Sequence, residues 1–170
     1  PNGEHPQSIP GSRVQVVFGP GNLDRIGDIA REHGSRVLLV TDPGIREAGH
    51  VERAVRVLYQ AGLSVKVFDE VGENPTTIHV GKGVIACKGY EPELIIGLGG
   101  GSAMDCGKGI NFILTNGGRM VDYWGTGKAK NPPPWTIGYA SSYAGNTWRA
   151  DVMKRLQEEI IPKWQKLGLI

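Results

Sequence analysis

The sequence predicts an open, doubly wound α/β fold of Rossmann-like or flavodoxin-like type, a single three-layer domain built on a mostly parallel sheet of about four to six strands. Three observations carry this. Val37-Leu38-Leu39-Val40 and Leu94-Ile95-Ile96 are short apolar runs without alternation, as expected of strands covered on both faces. Segments with apolar residues at helical spacing stand between them. Gly97-Leu98-Gly99-Gly100-Gly101-Ser102-Ala103-Met104-Asp105 then follows the second run, where a buried strand would feed a helix through a glycine-rich turn.

In chain order, Arg13 to Phe18 alternates as a short strand, and Gly19-Pro20-Gly21 turns it into a helix beginning near Asn22 and reaching Ala30. Val37 to Val40 is a central strand, ended by Thr41-Asp42-Pro43-Gly44. Val51, Val55 and Leu58 mark the face of the next helix, Gly62 closes it, and Leu63 to Phe68 alternates as another strand. Thr76 to Cys87 is helix-compatible and leads past Gly89 and Pro92 to the strand before the glycine turn. The helix after that turn spans Ala103 to Leu114. Its Gly107 and Gly109 cost about 1 kcal/mol each relative to alanine, which implies close packing or close ligand approach. Asn131-Pro132-Pro133-Pro134 introduces a strand over Trp135 to Ala140, followed by a polar turn over Ser141 to Asn146 and a long terminal helix.

At 170 residues the chain suits one domain with a real core, and 39% hydrophobic content keeps it globular despite 26 glycines. The net charge of +2 comes from nearly balanced acids and bases without a basic block, which points away from nucleic acid. No apolar run approaches the roughly 20 residues that cross a bilayer, so no membrane partner is expected. Cys87 and Cys106 belong to no C-x-x-C or Cys/His cluster, which argues against a disulfide framework or zinc site and suggests reduced thiols in the cytoplasm. The stretch from Pro1 to Ser12 is polar, lacks an apolar signal core and does not begin with Met, so a processed or trimmed end is expected there.

Backbone N–H groups at a helix start carry partial positive charge and lack partners within the helix, and glycines admit a pyrophosphate close to them. The motif departs from G-x-G-x-x-G by placing Ser102 at the third glycine, and a tight turn without a ligand is the competing reading. Ser102 and Asp105 also have the spacing of a capping box. Asp42, at the carboxyl end of a central strand, could accept hydrogen bonds from an adenosine ribose and repel a 2′-phosphate, or it could simply cap a turn. Asn74-Pro75-Thr76 offers an amide at the same edge or merely starts a helix, and Lys108 is placed to meet a phosphate or to pair locally. His5, His33, His50 and His79 do not cluster at metal-ligand spacing, and neither cysteine has an evident base beside it, so no metal site and no catalytic nucleophile is expected.

From about 14 to 134 the chain resembles the cofactor-binding half of iron-containing, group III alcohol dehydrogenases and their glycerol dehydrogenase relatives. Four motifs appear in the family's order: Phe18-Gly19-Pro20-Gly21, Val40-Thr41-Asp42, Glu73-Asn74-Pro75-Thr76 and Gly99-Gly100-Gly101-Ser102-Ala103-Met104-Asp105. The resemblance implies NAD as cofactor, its pyrophosphate on Gly100, Gly101 and Ser102, with Gly99 and Asp105 in the same signature. It also implies Asp42 at the adenosine ribose and Asn74 beside the cofactor. The family continues into T-T-x-G-T-G-S-E, whereas here the strand runs into Ala140-Ser141-Ser142-Tyr143-Ala144-Gly145-Asn146-Thr147. In the family a second, helical domain supplies an Asp and three His to the metal. The chain stops short of that domain, so metal-assisted turnover is expected to be absent.

The segment at about 135–170 resembles the first strand, ligand loop and first helix of periplasmic sugar-binding proteins, which implies sugar contacts at Tyr143, Asn146, Trp148 and Arg149. All four tryptophans, Trp124, Trp135, Trp148 and Trp164, lie in the last third. The expectation is therefore a chimera, natural or engineered, joined near residue 133. Its function would be that of an isolated dinucleotide-binding domain, with a scaffold that has lost its ligand, or a sugar binder, as alternatives. An open sheet edge makes self-association a further expectation.

Overall fold

The structure, a computed structural model, describes residues 7–8, 15–17, 19–125, 128 and 137–140. The chain separates into two units, one of Pro1–Asn22 with Tyr143–Ile170 and the other of Leu23–Ser142. In the first, β1 (Gln7–Ser8) pairs antiparallel with β2 (Gln15–Val16). The predicted strand over 13–18 is thus present at its centre, but its partner comes from the polar stretch expected to be only a trimmed end. Phe18 lies outside the described residues, as do the predicted turn after residue 140 and the terminal helix.

The second unit begins at Leu23, within a 3-10 turn over Asn22–Arg25 that leads into α1 (Ile26–Ala30). It continues through β3 (Arg36–Val40), α2 (Pro43–Glu47), α3 (His50–Gln60), β4 (Ser64–Phe68) and α4 (Thr77–Ala86). Then come β5 (Leu94–Leu98), α5 (Gly101–Asn116), a second 3-10 turn at Met120–Tyr123 and β6 (Ile137–Ala140). The four strands β3 to β6 form one parallel sheet in the order β4-β3-β5-β6.

Unalternating apolar strands are what such a sheet requires. Val37, Leu39, Leu94, Ile96 and Leu98 face a core shared with α1 and α3, where Ile26, Ala30, Val51, Ala54 and Leu58 are buried. Leu38, Val40, Ile95 and Phe68 face the opposite core, with Val80 of α4 and Cys106, Ile110 and Ile113 of α5. The doubly wound, three-layer prediction therefore holds. None of the helices among the described residues is long and apolar enough to cross a membrane.

The helix glycines let α4 and α5 approach closely. A Cβ added at Gly83 would lie 2.2 Å from Ile110 Cδ1, and one at Gly109 would lie 2.7 Å from Val80 Cγ2. Gly109 thus meets the close packing its helix-interior position predicts, while a Cβ at Gly107 would make only ordinary contact, 3.5 Å from Ile95 Cγ2.

Candidate functional site

Because β4 lies on one side of β3 and β5 on the other, the winding direction reverses between β3 and β5. The chain leaves β3 toward α3 on one face of the sheet and leaves β5 into α5 on the other. A crevice opens outside the carboxyl ends of two such strands, where open α/β sheets bind their ligands. Thr41-Asp42 and Gly99-Gly100-Gly101 occupy that position.

Gly99 is buried with φ +142°, a conformation that disfavours any side chain, and a Cβ there would lie 3.0 Å from Asp42 Oδ2 and 3.4 Å from Ala103 Cβ. Gly100 is the N-cap of α5 in extended conformation, with no side-chain cap. The first backbone bond of the helix runs from the Met104 N–H to the Gly100 carbonyl at 3.3 Å, so the amides of Gly101, Ser102 and Ala103 precede the ladder. A Cβ on Gly101 would meet nothing within 4 Å. A 16-residue helix thus presents its first amides, uncapped, beside open space, and an anionic group such as a pyrophosphate fits there.

The capping box expected from Ser102 and Asp105 does not form. The helix starts before Ser102, which therefore sits inside its first turn, and exposed Asp105 pairs instead with Lys108 Nζ at 3.1 Å. Lys108 accordingly takes the local pairing rather than standing free.

Asp42 satisfies the structural reading and keeps an oxygen beside the glycines. Its Oδ1 accepts the Ile45 N–H at 3.0 Å as the N-cap of α2, with Pro43 in the first turn. Arg46, on the same short helix, hydrogen-bonds Asp69 just beyond β4 and stands 3.5 Å from Glu52. The bond it donates to the Asp69 carboxylate pushes the Arg46 guanidinium pKa above its usual range. Asn74 is exposed, with φ +52°, in the loop after β4, on the same edge of the sheet as the glycine turn. Thr76 caps α4 by accepting the Ile78 N–H at 3.3 Å, and the Thr76 N–H donates to His79 Nδ1 at 3.0 Å. His79 is therefore part of a helix cap.

Thr41 was not singled out as a site residue, yet it is the buried polar side chain of the described core. Its hydroxyl donates to the Leu98 carbonyl at 2.8 Å, immediately before the glycine turn. A lone hydroxyl residue ending an apolar run is the signal that could have found it. The thiols are buried by contrast, and that burial raises the pKa of Cys87 and pushes that of Cys106 up to about 11, which disfavours the nucleophilic thiolate. Among the described residues no three His, Cys, Asp or Glu side chains group to hold a metal ion. Tyr143, Asn146, Trp148 and Arg149 lie outside the described residues.

A parallel sheet whose glycine turn meets an aspartate at the switch point defines a Rossmann-like class of α/β domain. The chain belongs to the iron-containing alcohol dehydrogenase family, whose profile matches residues 13–148. It is 32% identical over 146 residues to alcohol dehydrogenase 4 of Saccharomyces cerevisiae (strain YJM789), covering 84% of this chain and 38% of the relative. It is 31% identical over 117 residues to an NAD-dependent methanol dehydrogenase of Bacillus methanolicus, covering 68% and 31%. A crystal structure of a 1,3-propanediol oxidoreductase superposes with a TM-score of 0.68 at 35% identity, covering 76% of this chain and 34% of that one. The chain thus spans little more than a third, or less, of the length of these relatives. The family match also runs past the join expected near residue 133, so it includes the segment from 134 to 148 that had been set apart by its resemblance to sugar-binding proteins.

Proposed function

We propose that this chain binds NAD(H) as the dinucleotide-binding part of an alcohol dehydrogenase of the iron-containing type. The observation that carries the reading is the uncapped start of α5 behind Gly99-Gly100-Gly101 at the switch point. In this reading the amides of Gly101 and Ser102 bind the pyrophosphate, while Asp42, oriented by its bond to Ile45, accepts from the adenosine ribose. Asn74 and Asp105 lie at the margins of the same site. The bound dinucleotide would supply the nicotinamide that takes or gives the hydride. In this reading the residues described hold and orient it. Its two buried free thiols accord with a cytoplasmic setting, and the outer strand β4 supports self-association, which sedimentation velocity would detect.

Calorimetric titration with NADH at millimolar ligand tests the reading, with Gly100→Asp alongside. Aspartate suits an N-cap in this extended conformation but places a carboxylate where the phosphate would sit. The expected result is saturable binding by the wild type and none by the variant. No heat from a cooperatively folded wild type would favour the alternative, a scaffold that keeps the fold without its ligand.

A further inference from the structure

Past the last paired residues of β3 and β5, Val40 and Gly97, the two chains diverge onto opposite faces of the sheet. Thr41 sits at that divergence, fully buried, and uses three polar groups to tie the strand ends together. Its N–H donates to the Phe68 carbonyl of β4 at 2.9 Å, and its carbonyl accepts the Val71 N–H at 3.3 Å. With the backbone amide committed to the β4 side, the hydroxyl is what reaches β5, donating to the Leu98 carbonyl at 2.8 Å. On one side of this bond the next residue is Asp42, and on the other it is Gly99.

We infer that Thr41 is a positioning residue for the dinucleotide site, its hydroxyl bond to Leu98 setting the distance between Asp42 and the glycine turn. This rests on the proposed binding of NAD(H). A side-chain bond here does what the backbone ladder no longer does once the strands part. The close approach of Asp42 Oδ2 to the space above Gly99, 3.0 Å from an added Cβ, leaves little room for the two ends to shift independently. Thr41 itself touches no ligand in this scheme. It aligns the first amides of α5 with the ribose-facing carboxylate, so that one dinucleotide reaches both.

The test is NADH titration of the wild type, Thr41→Val and Thr41→Ser, all well below their melting temperatures, with Glu93→Gln as a control at the opposite edge of the sheet. Valine keeps the branched shape but removes the donor, and its dissociation constant should rise about tenfold. Serine restores the hydroxyl and should stay within about twofold of the wild type, while Glu93→Gln should lose stability without losing affinity. Wild-type affinity in Thr41→Val, or equal weakening in Glu93→Gln, would overturn the inference while leaving the binding reading intact. Absence of binding by the wild type would remove both together. Should Thr41→Val not fold, Thr41→Cys provides a weak donor in nearly the same volume. A several-fold weakening supports the inference, and unchanged affinity overturns it.

Discussion

The two edges of the parallel sheet treat their polar groups in opposite ways. At the amino edge Glu93 accepts the Ser35 N–H at 2.7 Å, the Ser35 hydroxyl at 2.8 Å and the Arg36 N–H at 3.3 Å, and pairs with the Arg36 guanidinium at 3.0 Å. Arg36 Nε also donates to the Glu91 carbonyl, and the Tyr90 hydroxyl bonds the Val37 carbonyl and Ser64 Oγ. Donors and acceptors there are spent within the protein. At the carboxyl edge the strands are tied from beneath by Thr41, while the first amides of α5 face open space above Gly101. One sheet thus closes one end on itself and keeps the other available, because strand ends that diverge onto two faces cannot all satisfy each other.

The largest effect should come from Gly99→Val, which erases the contrast by destroying the open edge. A β-branched side chain at φ +142° is strained by about 1–3 kcal/mol, and its Cβ, 3.0 Å from Asp42 Oδ2, presses the carboxylate aside. Both melting temperature and NADH binding should fall; binding retained near the wild-type level would show that the turn is not the site, and an unchanged melting temperature would show that the backbone there absorbs the side chain without strain. Gly100→Asp sharpens the comparison, since it should abolish binding while leaving thermal stability near that of the wild type, measured by circular dichroism and calorimetry on the same sample.

How much of this was legible depended on whether local sequence carried the deciding force. Val37 to Val40 and Leu94 to Ile96 read correctly as strands, because burial on both faces removes the alternation within the strand itself, although β5 continues to Leu98 through residues that read as part of the turn. The helical face of α3 was equally plain, with Val51 and Leu58 buried as the spacing implies. The start of α5 was not. Ser102-x-x-Asp105 has the composition of a cap, but the backbone turns into the helix at Gly100, and glycine announces a turn without specifying where the helix begins. Pro43-Gly44 read as a turn because α2 is barely more than one turn long and is held by Asp42 and by Arg46 with Asp69. β1 was hidden because Gln7-Ser8 has no apolar signal, and its strand exists only through pairing with β2. Gly83 was likewise passed over, for its need arises from Ile110 on another helix. At the carboxyl edge, Asp42 and the glycine turn stand out in the sequence by residue type, whereas the bond from the Thr41 hydroxyl depends on a carbonyl partner, Leu98, that lies 57 residues away.

Asp42 lets the two uses of the carboxyl edge, capping α2 and facing a ligand, be separated at a single residue. Asp42→Ser keeps an N-cap oxygen for the Ile45 amide but removes the charge beside Gly99, whereas Asp42→Ala removes both. Alanine should cost about 1 kcal/mol of stability by chemical denaturation, and serine much less. Titration with NADPH should show a gain relative to NADH in both variants, because the carboxylate that repels a 2′-phosphate is gone. An unchanged preference in both would assign Asp42 to the cap alone.

Glu93→Gln is the smallest perturbation and the one that isolates the closed edge. Bonds from Ser35, with the Arg36 charge nearby, hold the Glu93 carboxyl below its ordinary value of 4.5. A carboxyl depressed in the folded state contributes stability above its unfolded value, and that contribution disappears as pH falls through the folded one. The wild type should therefore melt above Glu93→Gln at neutral pH, with the gap closing only below about pH 4.5 as Glu93 takes up its proton. NADH affinity should be the same in both proteins at neutral pH. A gap that persisted unchanged into strong acid would mean that Glu93 contributes shape rather than charge. A loss of affinity would mean that the amino edge communicates with the crevice, and the division of labour between the two ends of the sheet would fail.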